Sequence, residues 1–123
     1  MNTRMDTIYF NKDTFELCGE PEEGCIYVDT PIAEAIKVLN TKGYITSACC
    51  CGHADMLPDE CAYIQFDFGE ITPETLPAGW FWTDNGQQME YEYMSQDADR
   101  FNIEKIEVMN ALLSWAKTLP DVR

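Results

Sequence analysis

Positive charge is what this sequence has least of: eight Lys and Arg stand against 22 Asp and Glu in 123 residues, a formal charge of −14 at pH 7. Between Gly43 and Asp99 there is no Lys or Arg at all, while Asp55, Asp59, Glu60, Asp67, Glu70, Glu74, Asp84, Glu90, Glu92, Asp97 and Asp99 fall inside that window. Nonspecific binding to nucleic acid takes its affinity from Lys and Arg displacing counterions at phosphates, so the composition argues against a nucleic-acid partner. Histidine is equally scarce. His53, the one present, is the only side chain of the window that becomes cationic near neutral pH.

Long hydrophobic runs are also missing. None approaches the roughly 20 apolar residues of a membrane-spanning helix, and no apolar segment follows Arg4 as a secretory leader would require. The chain is therefore expected to stay in the cytoplasm and away from membranes. In that reducing compartment the six cysteines read as free thiols or metal ligands and not as three disulfides. No internal repeat or low-complexity tract divides the sequence. Its 46% hydrophobic content suffices for one domain spanning residues 1–123.

Two β-prone runs, Thr7–Phe10 and Thr14–Cys18, flank the polar tip Asn11-Lys12-Asp13 and predict a hairpin. A loop through Gly19–Gly24 leads to a short strand, Cys25–Val28. Thr30 as cap, Pro31 at the first helical position, the spacing of Ile32, Ala33, Ile36 and Leu39, and Gly43 as terminator predict a helix from Pro31 to Lys42. A strand, Tyr44–Cys49, follows, making residues 26–49 a β-α-β unit with the cysteine cluster at the C-terminal end of its second strand. Ala62, Ile64, Phe66 and Phe68 alternate with Tyr63, Gln65 and Asp67 as in a half-buried strand, with Cys61 on the Tyr63 side. Ile71–Ala78 is a connector with room for one helical turn.

Asn85-Gly86 between Trp80–Asp84 and Gln87–Tyr93 predicts a hairpin with Trp82 opposite Met89 and Trp80 opposite Tyr91. That register gathers Trp80, Trp82, Met89, Tyr91 and Tyr93 on the core face. A last helix, Asn102–Leu119, carries a wide apolar arc: Ile103, Ile106, Met109, Leu113 and Ala116, then Val108, Leu112, Trp115 and Leu119. Either this arc lies deeply covered on the sheet, or its outer edge joins a second copy of the chain. The architecture expected is α+β (mixed α/β): one β-α-β unit and two hairpins in a mostly antiparallel sheet, with the C-terminal helix packed on it.

Chemistry concentrates in Cys49-Cys50-Cys51-Gly52-His53. Thiolate sulfur and neutral imidazole are the preferred ligands of zinc, and Cys50 and His53 are spaced compactly. The candidate metal ligands are Cys50, Cys51, His53 and, across a loop, Cys61, with Cys49, Gly52 and Asp55 as candidates for contact with a small ligand. Cys18 and Cys25 can join only if the N-terminal segment folds back. Adjacent residues of an extended chain point in alternate directions, so the cluster converges only if the backbone turns, which Gly52 permits. A nucleophilic cysteine with His53 as base and Asp55 orienting the imidazole is the competing chemistry. Carboxylates around it would raise the thiol pKa and work against it. The third reading leaves the thiols as small buried groups filling a strand end. No catalytic residue is assigned.

The segment Gly43–His53, with Pro31–Ile36 and Leu39-Asn40 before it and Ala62–Phe66 after it, resembles a group of short bacterial and phage proteins. They share a helix ending in Leu-Asn-x-Lys-Gly-Tyr and a strand running into Cys-Cys-Ser-Gly-His. The likeness covers residues 29–68; it implies this fold class and a prophage origin, and carries no activity. A more distant likeness, to the Ser-Cys-Ser-Gly-Arg motif of the wybutosine-synthesising tRNA methyltransferase family, matches at Cys50 and Gly52 only. With His53 in place of the Arg, neither tRNA binding nor S-adenosylmethionine chemistry is carried over. The sequence thus points to a small cytoplasmic accessory protein with a Cys/His metal or small-ligand site. Its alternative is an acidic module that binds a basic protein, with the thiols structural.

Overall fold

The computed structural model describes residues 7–11, 17–18, 25–57, 59–83 and 86–123, with side chains described from Val28 onward except at Met56. The order is β1 (Thr7–Asn11), β2 (Leu17–Cys18), β3 (Cys25–Asp29), α1 (Thr30–Thr41), β4 (Thr46–Cys50), a 3-10 turn (Ala54–Met56), β5 (Cys61–Phe66), β6 (Phe81–Thr83), β7 (Gln88–Glu92) and α2 (Ala98–Thr118). The fold is α+β. A four-stranded antiparallel sheet, β4-β5-β7-β6, carries the core, and a three-stranded antiparallel sheet, β2-β1-β3, stands beside it.

The strand-helix-strand succession around α1 is present, but its two strands do not share a ladder. β3 is taken by β1 over five consecutive pairs from Thr7↔Asp29 to Asn11↔Cys25, and β4 pairs with β5. The two strands remain in contact without pairing. The predicted hairpin register is the observed one, with Trp82 opposite Met89 and Thr83 opposite Gln88. Asp84 and Asn85 of its turn lie outside the described residues, as do residues 12–16 of the first hairpin and the loop at 19–24.

Helix α1 begins one residue earlier than expected: Asp29 occupies the cap position and Thr30 is already helical, because β3 runs straight into the helix. At the other end Gly43, at φ 102°, closes a Schellman turn in which the Tyr44 amide donates to the Leu39 carbonyl at 2.9 Å. Buried Asn40 joins α1 to β4, donating to Ile36 O and Thr46 Oγ1 and accepting from the Thr46 amide. Lys42 then reaches the end of α2, where its Nζ donates to the carbonyls of Ala116, Lys117 and Leu119 at 3.0, 2.7 and 2.6 Å. Of these only the Ala116 carbonyl also receives a backbone amide, that of Leu119 at 3.3 Å, so one cation serves the negative end of the helix.

Ile32, Ile36 and Leu39 of α1 meet Ile64, Phe66 and Met89 of the sheet and Phe101 and Leu112 of α2 in one core. The arc of α2 is narrower than its apolar residues suggest. Phe101, Val108, Met109, Leu112 and Ala116 are buried, whereas Ile103 and Ile106 are each 62% exposed. A straight helix turns only one side to its neighbours, and the Phe101 side wins because it meets Tyr93, ring centroids 4.5 Å apart. Phe68 likewise lies beyond the end of β5, in a turn, and is exposed. The connector 71–78 holds bends and no helical turn. No helix among the described residues is long and apolar enough to cross a membrane.

Candidate metal centre

The front half of β4 and its cysteines are out of phase. Thr46 opposes Phe66, but Ala48 opposes Gln65, so an extra residue is accommodated around Ser47. This bulge sets Cys49 opposite Ile64 and Cys50 opposite Tyr63. Alternation within the strand therefore turns Cys49 toward the core side, which Ile64 shares, and Cys50 toward the other. The strand ends at Cys50, and Gly52, at φ 91°, swings the chain around so that Cys51 and His53 come back over its end. A side chain at 52 is excluded twice, by that φ and by Tyr93, whose Cε2 would stand 2.5 Å from a Cβ.

Three distant groups hold the turn. The Tyr93 hydroxyl donates to Cys51 O at 2.6 Å, and Lys105 Nζ donates to Gly52 O at 3.2 Å. Glu60 accepts the His53 amide on one carboxylate oxygen at 3.0 Å and the Cys61 amide on the other at 2.9 Å, closing the base of the loop.

What this scaffold presents is a side-chain group that sequence reading only half contains. Ligand atoms of Asp29, Cys50 and His53 lie within 4.8 Å of one another. Asp29 Oδ2 is 3.2 Å from His53 Nε2, with the two side chains 18% and 20% exposed, so an ion can reach them while water does not swamp them. Asp29 stands at the cap of α1 yet makes no capping bond. Its Oδ2 instead receives the Cys51 amide at 3.4 Å and the Cys51 thiol at 3.6 Å. An aspartate at this position normally satisfies the helix's own free amides. Here it is spent on the cysteine turn.

The other sequence candidates scatter. Cys51 is fully buried, its thiol beside Asp29 and Gly52 O, and Lys105 Nζ stands 4.0 Å from its sulfur. Cys61 lies outside the three-residue group, on a cleft of about 310 Å³ with Asp59, Glu90, Glu92 and Tyr93. Asp55 is exposed in the 3-10 turn, and the carboxylate at His53 is Asp29's. Cys49, Cys50, Cys51 and Cys61 are free thiols; the side chains of Cys18 and Cys25 are outside the described residues. Asp29 and Lys105 were missed because each belongs to an element far along the chain. The available signal was an acidic residue at the mouth of a strand-to-helix junction, where α/β folds gather ligands.

Electrostatics set what these thiols do. Burial first, then the Asp29 charge, pushes Cys49 up to about 12. Burial also raises Cys50 against the opposing pull of the Gly52 amide, with Asp29 and Glu60 adding to the rise. Burial dominates again at Cys51, outweighing Lys105, and burial with Glu90 and Glu60 takes Cys61 to about 11. All four are protonated at neutral pH. An activated nucleophile needs the opposite environment, a thiolate stabilised by positive charge. A dipositive ion would supply that charge directly, displacing the thiol proton. Comparison with protein-family models, with curated proteins and with solved structures gives no match.

Proposed function

We propose that this chain is a small cytoplasmic metal-binding accessory protein that holds one zinc ion between Asp29, Cys50 and His53. One observation carries the reading: the Asp29 carboxylate at the end of β3 meets the Cys50 thiol and the His53 imidazole from the end of β4 within 4.8 Å, and the carboxylate is withheld from the helix it would cap. The three donors match zinc, which takes Cys sulfur, His nitrogen and Asp oxygen at about 2.0–2.3 Å. Harder ions such as Mg²⁺ and Ca²⁺ favour all-oxygen sites and are poorly served by a thiol and an imidazole. The free thiols and the reducing compartment are consistent with each other.

His53 Nε2 and Asp29 Oδ2 already face one another at 3.2 Å. Loading would displace the thiol proton of Cys50 in exchange for the metal. Elemental mass spectrometry of untagged protein purified without chelator is expected to give close to one zinc per chain, and the His53→Ala protein much less. Zinc retained in full by His53→Ala would remove His53 from the site.

A further inference from the structure

We infer that the zinc ion of the three-residue centre keeps its fourth position open to solvent, and that this position takes a neutral oxygen or nitrogen donor: water at rest, or an alcohol, carbonyl or imidazole group of a small ligand. The inference rests on the zinc reading above. Structural zinc is closed by four protein groups, whereas zinc that acts on a ligand keeps three and a water. Among the described residues the converging group stops at Asp29, Cys50 and His53. Each neighbour able to close it is turned elsewhere. Cys49 shares the core side with Ile64, and Cys51 is fully buried with its sulfur outside the group. Cys61 lines a separate cleft, and both oxygens of Glu60 hold backbone amides.

The open position has a way in. Both helices pack on the face of the four-stranded sheet that carries Ala62, Ile64 and Met89. Cys50 belongs to the other face, directly across from Tyr63, and the same row continues through Glu90 to Phe81. Along it Tyr63 and Glu90 are half-buried and Phe81 is exposed, while Asp29 and His53 are themselves reached by solvent. A small ligand crossing this face meets the centre at Cys50 without disturbing the core.

Charge chooses the kind of ligand. One thiolate and one carboxylate balance Zn²⁺, and the imidazole is neutral. Glu60 and Lys105, held on the His53 amide and the Gly52 carbonyl of the same turn, offset one another. The loaded centre is thus neutral within a chain of formal charge −14. An anion in the fourth position would leave a net negative charge in a half-buried site of an acidic protein, which is costly, whereas a neutral donor adds none.

Cobalt(II) in the unaltered chain reports the position, because its visible bands respond to the number and kind of its ligands. At about pH 8, where free imidazole is mostly neutral, added imidazole should shift those bands saturably while the cobalt stays on the chain. Azide should bind at least about 10-fold more weakly, a small share of what a net charge costs in such a site. Electron–nuclear double resonance of the same protein should show strongly coupled protons that vanish in deuterated water, the signature of a bound water. Cys51→Ser should leave the thiolate charge-transfer absorption unchanged. Bands that ignore imidazole, or the absence of those exchangeable protons, overturn the open position. Charge transfer diminished in Cys51→Ser overturns it as well, by supplying a fourth protein ligand, and azide bound as tightly as imidazole overturns the neutral-donor assignment. All of these leave the three-ligand reading standing; no uptake of Co²⁺ or Zn²⁺ by the unaltered chain overturns both.

Discussion

At the scale of single residues, the site turns on Asp29. Its side chain gives no hydrogen bond to α1, and asparagine caps helices as well as aspartate does. Asp29→Asn keeps an oxygen for the Cys51 amide and should cost the metal-free protein about 1 kcal/mol, the size of one weakened hydrogen bond. It should lower zinc affinity by more than about 100-fold, beyond what an outer-shell change costs. Urea denaturation and competitive chelator titration measure the two effects separately. If affinity is unchanged, the carboxylate is not a ligand. Cys50 and His53 were legible in the sequence as a ligand pair because their types and close spacing are themselves the signal. Asp29 was not, since it lies 22 residues before Cys51 and the sequence reading passed it over for Thr30 as the cap. Lys105 was hidden for the same reason, being 54 residues beyond the sulfur it approaches.

At the scale of elements, local rules predicted most of what was found. The register of β6 on β7 is the one that Asn85-Gly86 predicts, and Pro31 and Gly43 bracket α1. The bulge at Ser47 left no mark in composition, although it decides which way the cysteines face. The start of α2 offers a test of a different kind. Glu104 accepts the amides of Met94 and Ser95 and the hydroxyl of Tyr91, tying the chain after β7 to the helix. Burial pushes its pKa up, but those donors outweigh burial and hold it below the usual glutamate value. The sign follows from linkage: a depressed folded-state pKa means stability that is present above the unfolded pKa and lost as pH falls through the folded one. Glu104→Gln should accordingly flatten the fall in stability below about pH 4.3, where an ordinary glutamate protonates. Urea midpoints from pH 6 to pH 3 check this; parallel curves for the two proteins would show that Glu104 is not the group responsible.

At the scale of the whole molecule, the charge imbalance is the dominant fact. Against 22 acidic residues the described structure pairs only two cationic Lys or Arg side chains with carboxylates, Arg100–Asp97 and Arg123–Asp121, both exposed neighbours of little energetic consequence. Most carboxylates therefore repel one another without compensation, which opposes the compact state. Raising NaCl from about 10 mM to 300 mM shortens the Debye length from roughly 30 Å to below 8 Å. The melting temperature should rise by several degrees over that range. A fall would mean that attractive pairs outweigh repulsion. Net charge was read without difficulty from composition, whereas the division of the strands into two sheets was not, because nothing in β3 names β1 over β4 as its partner.

The carboxylate of Glu60 has a further consequence. By receiving the amides of both His53 and Cys61, it fastens the two ends of the intervening segment together. What happens between those ends is then geometrically insulated from the ligands. Doubling the length of a closed loop costs only about 0.6 kcal/mol in chain entropy. Exposed Asp59 is thus a natural port: a peptide grafted beside it would hang from a fastened base, with the cysteine turn beneath it undisturbed.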